Sequence, residues 1–417
     1  MRPLTWVRWI LSALGLLYFP AAFAGSLWLV PATAAVVVIA WLYWEGWQSC
    51  RKELALLLAV LLVYFAPTVI PCGAEANFCI GWMIDQEVYL LTAGALLYVC
   101  GYVTADRAGG IAASIFAAGL SLLVAMALVL LITQANLTTE IKPPVLPLFV
   151  ERNDLAPLVA WMFFVHRLLR TVTGTPLIRV VTYLVVVVVA GLLSLATQSR
   201  LVATISVIGA VCFVPFDRHW RWQWATVGVA VACLLAVEYQ KVLLLVERAL
   251  LTDGGPSVST RFYLWRNGWE MFLAAPWFGH GLGGFPELTT LYGRPLPAGT
   301  DLDVRFISWP HNVFVEVLVE KGVAGLVAFS CLLALAIRNL AHRPPQGLEA
   351  ARGAAGYLLV ALLVVGSLDS TTKRLWYLPS LLYLLGMSER ISRARKLSVK
   401  VAAGANEASV DKPAVDE

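Results

Sequence analysis

Apolar positions along this chain do not alternate with polar ones. They run on without interruption for the length of a helix, again and again. Such runs fall at roughly 5–23, 27–45, 54–71, 88–105, 110–132, 155–170, 178–197, 201–216, 223–245, 323–340, 354–369 and 375–388. A bilayer core takes about 20 apolar residues per helix. In lipid every backbone N–H must be paired within its own segment, so runs of this kind become helices. The stretch 180–190, Val-Val-Thr-Tyr-Leu-Val-Val-Val-Val-Val-Ala, is β-branched and would suit a buried strand in a soluble protein. Its length and its neighbours favour a membrane helix. The pattern predicts an all-α, polytopic integral membrane protein with about twelve transmembrane helices. Helices 1–9 fall within 1–246, a large loop within 247–321, helices 10–12 within 322–390 and a tail within 391–417. The tail is polar from Leu397 onward and reads as disordered. The first run begins at Thr5 and no small-residue cleavage pattern follows it, so no cleavable signal peptide is expected.

Composition supports the pattern. Charged residues make up 14% of the chain against about 25% in a soluble domain, and mean hydropathy is +0.76. Charge adds an orientation. With the N-terminus in the cytoplasm, the loops on that side hold Arg51 and Lys52, Arg107, Arg167, Arg170 and Arg179, Arg218 and Arg221, and Arg338, Arg343 and Arg352. The tail adds Arg390, Arg393, Arg395, Lys396 and Lys400. Lys and Arg concentrate on the cytoplasmic side of membrane proteins, so both termini are placed there. These loops account for the net charge of +5, which leaves nothing to suggest a nucleic-acid partner.

The same topology puts Cys72 and Cys79 in one short outer loop. In a Gram-negative cell that compartment is the oxidising periplasm, where a disulfide persists. A Cys72–Cys79 bridge is expected; the alternative is two unpaired loop thiols. The other cysteines lie in or near apolar runs and read as small hydrophobes.

Two outer loops are long, 133–154 and 247–321, and the second gathers positive charge on the side where it is disfavoured. It carries Arg248, Arg261, Arg266, Arg294, Arg305 and Lys321, and Arg200 stands at another outer turn, in Thr-Gln-Ser-Arg. Arginines collected there suggest an anionic ligand, with phosphate or pyrophosphate the best fit to a guanidinium fork. Arg248, Arg294 and Arg305 read as solvated loop charges, and Lys321 as a residue snorkelling at the membrane surface. Arg200 is open between anchoring and function. Arg261 and Arg266 lie in a helical stretch with Trp265 and Trp269 spaced to share a face. Such a helix can lie in the interface with its rings among headgroups.

Residues 275–285, Ala-Pro-Trp-Phe-Gly-His-Gly-Leu-Gly-Gly-Phe, form a loop whose glycines permit tight turns and close approach. It lacks the strand and helix that a dinucleotide fingerprint needs. Trp309-Pro310-His311-Asn312 then opens a helix over 313–320 ahead of Lys321-Gly322. Histidine is the side chain most often used as a base near neutral pH, although a lone histidine is more often structural.

Taken together these pieces resemble the O-antigen ligase and polymerase family of bacterial inner-membrane proteins. The matching elements are Arg261-x-x-x-Trp265, Pro276-x-x-Gly279-x-Gly281-x-Gly283, His311-Asn312 and Glu320-x-Gly322-x-x-Gly325, in the family's order within one loop. Thr197-Gln-Ser-Arg200 is similar to the family's small-residue–Arg element at an earlier outer hairpin. The resemblance implies a glycan donor on undecaprenyl pyrophosphate, presented at the periplasmic face. A ligase moves the glycan onto lipid A–core; a polymerase moves it onto another lipid-linked repeat. The resemblance further implies inversion at the anomeric carbon, His311 as general base and Arg200, Arg261 and Arg266 on the pyrophosphate. Asn312, Trp265, Gly279, Gly281 and Glu320 take supporting roles. His280 occupies a variable position of the motif and is not counted as catalytic.

No cofactor and no metal is expected. Asp301-x-Asp303 and Asp85-x-Glu87 are outer carboxylate pairs that could bind a divalent ion, but such pairs are mostly solvated. Length and the single dominant outer loop favour ligase over polymerase. A transferase acting on protein hydroxyls is a further alternative, typically longer than this chain. A transporter is the alternative of a different class. It is disfavoured because no half-to-half repeat is evident, few charges lie deep in the spans and the large loop is off-centre.

Overall fold

The computed structural model describes residues 10–11, 13–14, 93, 95–104, 155–169, 176–197, 199–212, 255–281, 283–285, 288–289, 309–368 and 377–410. Among these residues there is helix and no strand. The helices are α1 (Ala95–Thr104), α2 (Leu155–Leu169), α3 (Pro176–Thr197), α4 (Arg200–Cys212), α5 (Gly255–Ala274), α6 (Val313–Ala341), α7 (Glu349–Leu368) and α8 (Tyr377–Val410). Parts of α3, α6 and α7 are each long and apolar enough to cross a membrane. Cys72, Cys79, Asp85, Glu87, Arg248, Arg294, Asp301, Asp303 and Arg305 lie outside the described residues.

α2 sits at the centre because it is apolar on every side. Every residue from Leu155 to Leu169 except Arg167 is buried. It packs against α3, α4 and α7, and α7 in turn packs against α4, α6 and α8. α3 opens on Pro176, a residue whose missing N–H costs nothing in the first turn. One face of α3 buries Tyr183, Val186, Ala190 and Leu193, while Leu177, Val181, Val185 and Val188 are exposed on the other. The β-branched 180–190 run is therefore helical, with one apolar face left for lipid.

α1 meets α8 through glycines. A Cβ on Gly101 would overlap the Tyr383 carbonyl, and one on Gly386 would overlap the Tyr98 carbonyl. Such small-residue contacts let helix backbones approach closely where apolar side chains alone give little drive to associate.

One expectation changes. α8 continues without a break through residue 390 to Val410, so the tail is helical well beyond Leu397 rather than disordered. Its 34 residues span about 51 Å, more than a bilayer core needs. Residues 389–403 carry no Gly or Pro and are mostly Ala, Lys, Arg, Leu and Glu, with two Ser, two Val and one Ile, a composition that sustains helix. The helix expected over 313–320 and the span expected from 323 meet in one element, α6, at Gly322, whose φ of 63° and ψ of −161° break the helix geometry. Residues 313–321 and 323–341 are thus two half-helices joined at a kink.

Candidate functional site

α5 ends where the sequence says it must, since the residue before Pro276 is disfavoured in helix. It turns Leu264, Asn267, Gly268 and Met271 inward. A Cβ on Gly268 would sit 2.6 Å from Val315 Cγ1 and 3.4 Å from Val319 Cγ2, so α5 and the first half of α6 lie almost backbone to side chain. Leu264, Met271, Phe285 and Val319 form a small apolar core of their own.

The kink at Gly322 takes Val323 and Ala324 out of bonding range of the carbonyls they would use in a straight helix, those of Val319 and Glu320. The glycine loop supplies the missing partners. Val323 N donates to Pro276 O at 2.8 Å and Ala324 N to Trp277 O at 3.1 Å. In return His280 N donates to Val319 O at 2.8 Å and Gly281 N to Glu320 O at 2.9 Å. The buried Glu320 carboxylate accepts from Gly283 N at 3.1 Å. Gly279, Gly281 and Gly283 have φ of 69°, 84° and 78°, the left-handed region that glycine adopts without cost. A Cβ on Gly279 would overlap Glu320 and Lys321 backbone, and one on Gly322 would overlap Trp277 and Phe278 backbone. The two glycine motifs read from the sequence are therefore one structure, a loop spliced into a broken helix.

His280 Nε2 lies 2.7 Å from Met271 O, which ties the loop to the end of α5 and gives this histidine an anchoring place. Lys321 is buried at 1% exposure, its stem laid along Gly325, and does not snorkel.

His311 precedes the first half of α6. Its φ of 51° makes it the one non-glycine residue with positive φ among the described residues. Ahead of it, Trp265 Nε1 donates to Pro310 O at 2.9 Å. Behind it, Asn312 is the N-cap of α6: Oδ1 accepts from Phe314 N at 2.9 Å and Val315 N at 3.2 Å. Asn312 Nδ2 donates to Ser367 O, near the end of α7, at 3.2 Å.

The arginines divide. Arg261 is half-buried and stands one turn before Trp265, so it lies toward the side of α5 that faces Pro310 and His311. Arg266 is five residues on, about 140° round the helix. Its side chain is 62% exposed, and Nε lies 3.8 Å from Glu270 Oε1. It shares an outer stripe with Phe262, Trp269 and Leu273, all exposed. Arg200 is the first residue of α4, where Ser199 Oγ caps by accepting from Val202 N at 3.3 Å. A helix N-terminus carries partial positive charge, so it disfavours a cation of its own and favours an anion bound there.

Some participants had no sequence signal read from them. Glu316 is buried one turn before Glu320. Asn267 is buried with both side-chain polar atoms lacking a hydrogen-bond partner among the described residues. The spacing of Glu316 and Glu320 on one face of a helix was available as a signal; the burial of Asn267 was not.

Comparison with known families matches residues 184–330 to the family described as O-antigen ligase. The match runs from within α3 into the second half of α6, and so takes in Arg200, Arg261, the glycine loop, His311 and the kink. No curated protein matches the chain.

Proposed function

Starting from the O-antigen ligase domain carried by residues 184–330, we propose that this membrane protein transfers a glycan from undecaprenyl pyrophosphate to lipid A–core at the periplasmic face of the inner membrane. The observation that carries the reading is that one matched segment contains every residue assigned to the chemistry.

The acceptor hydroxyl oxygen forms a bond to the anomeric carbon as the bond from that carbon to the pyrophosphate oxygen breaks. The electron pair leaves with the pyrophosphate, the configuration inverts, and the hydroxyl proton passes to a ring nitrogen of His311. Arg200 and Arg261 stabilise the charge that grows on the leaving group, where fixed cations favour the transition state over the ground state. Arg266 acts from the outer face of α5, and its pairing with Glu270 makes it the weaker contributor. Trp269 and its exposed neighbours hold that face of α5 among lipid headgroups. The driving energy resides in the pyrophosphate link, so the transfer as written calls for neither nucleotide nor metal.

The test is the lipopolysaccharide profile of a strain lacking this chain. A ligase deletion leaves core without any repeat and accumulates lipid-linked polymer. Core bearing a single repeat would instead assign the polymerase reaction, and an unchanged profile would remove both.

A further inference from the structure

A left-handed backbone is strained for a residue with a Cβ. It persists only where surrounding structure over-determines it. At His311 the over-determination is visible on both sides. Pro310 has its own φ fixed by its ring, and its carbonyl is held by the Trp265 indole at 2.9 Å. Asn312, at φ −158° and ψ 115°, is fixed by two N–H groups of α6 and by the Ser367 carbonyl. The residue between these anchors has little freedom to relax toward an ordinary conformation. Trp265 also belongs to the helix that carries Arg261 one turn earlier, so the indole bond spans the gap between the two assigned chemical groups.

We infer that Trp265 and Asn312 are positioning residues for His311, and that the Trp265–Pro310 bond sets the spacing of His311 relative to Arg261. This rests on the assignment of His311 as base and Arg261 as pyrophosphate ligand. Neither positioning residue need touch the reacting atoms. Misplacing a catalytic group by about 1 Å can cost on the order of 100-fold in rate.

The experiment uses full-length protein in lipid nanodiscs. Transfer is measured with lipid-linked glycan extracted from a strain lacking this chain, and binding is measured separately with undecaprenyl pyrophosphate. Trp265→Phe keeps the ring and removes the N–H. It should lower kcat by about 10- to 100-fold while donor KM and undecaprenyl pyrophosphate binding stay within about twofold. Asn312→Asp keeps the cap oxygen and removes the donor to Ser367, so it should lower kcat less, again with KM unchanged. Asn312→Ala, which loses both, should fall further. A Trp265→Phe protein with normal kcat overturns the inference, as does a rise in KM at constant kcat, which would make Trp265 a substrate contact. If Trp265→Phe does not fold, a normal kcat in Asn312→Asp overturns it instead. The parent assignment fails separately: it falls if His311→Ala still transfers, whereas an inactive His311→Ala beside a normal Trp265→Phe sinks only the positioning role.

Discussion

The helix bundle and the loop-bearing site are held together by different means. In the bundle, α2, α4 and α7 fit by side-chain volume. Phe163 packs edge-on against Tyr357 with ring centroids 5.9 Å apart, and a Cβ on Gly209 would press into the Phe163 ring. Between α5 and the first half of α6 the apolar cluster holds four fully buried residues, and hydrogen bonds to backbone tie the adjoining loop in place. The bundle therefore stores its specificity in shape, which tolerates substitutions of similar volume. The site stores it in residues with a particular backbone freedom or a particular donor, for which no similar residue substitutes.

The sharpest way to break that contrast is at His311. His311→Ala removes the proposed base and should cost about 10²–10⁴-fold in transfer, with undecaprenyl pyrophosphate binding retained. His311→Gln should fail as well, since an amide takes no proton usefully. Transfer at a near-normal rate by either variant would move the chemistry away from this loop.

Next in size is the division of the arginines across α5. Arg261→Ala should cost about 100- to 1,000-fold, the usual scale for removing one fixed group that stabilises developing charge. Arg266→Ala should cost no more than about tenfold, because an exposed cation paired with Glu270 is well screened. Arg261→Lys should recover little, since a point charge cannot replace a fork. Equal losses at the two positions in transfer assays would mean that both faces of α5 meet the donor.

The splice at Gly322 comes third. Alanine there favours an unbroken helix, in which Val323 N returns to Val319 O and the loop loses its partners. The backbone at φ 63° and ψ −161° lies in a region essentially confined to glycine and opposes alanine by on the order of 1–3 kcal/mol. Gly322→Ala should lower transfer by about tenfold or more and make residues 276–284 open to limited proteolysis. Wild-type resistance to protease together with wild-type transfer would show that the splice is not needed.

Length and apolarity made these helices legible in the sequence: 155–170, 178–197, 201–216 and 354–369 all fall on observed helices within a few residues, those at 178–197 and 354–369 long and apolar enough to cross a membrane, while the runs at 27–45, 54–71, 110–132 and 223–245 lie outside the described residues. The sequence mislaid the end of α8 because polarity was read as disorder where helix propensity decided. At the site, the motif residues were readable one by one, but their relations were not. Nothing in Pro276-x-x-Gly279 or Glu320-x-Gly322 says that each supplies the other's hydrogen-bond partners, since that depends on a kink no local rule predicts. Likewise Arg261 and Arg266 look alike in sequence, and only the helical phase relative to the Trp265 anchor separates them.

The smallest expected effect lies on the bundle side, at a place close to the site in sequence. Ser194 of α3 and Ser206 of α4 face each other with Oγ atoms 3.1 Å apart, on the hairpin that carries Arg200. Each hydroxyl has a single proton and a nearer acceptor in its own helix: Ser194 reaches Ala190 O at 2.7 Å and Ser206 reaches Val202 O at 2.7 Å. The cross-helix bond thus competes with bonds already made, and side-chain hydrogen bonds between membrane helices average about 0.6 kcal/mol of coupling. Replacing both serines by alanine also leaves no buried polar group without its partner, because the two partners are removed together. The double variant should shift thermal stability only slightly and keep transfer within about twofold of wild type. If transfer instead collapses while the protein stays folded, then the α3–α4 pairing positions Arg200, and the boundary between a shape-held bundle and a hydrogen-bond-held site must be drawn to include this hairpin.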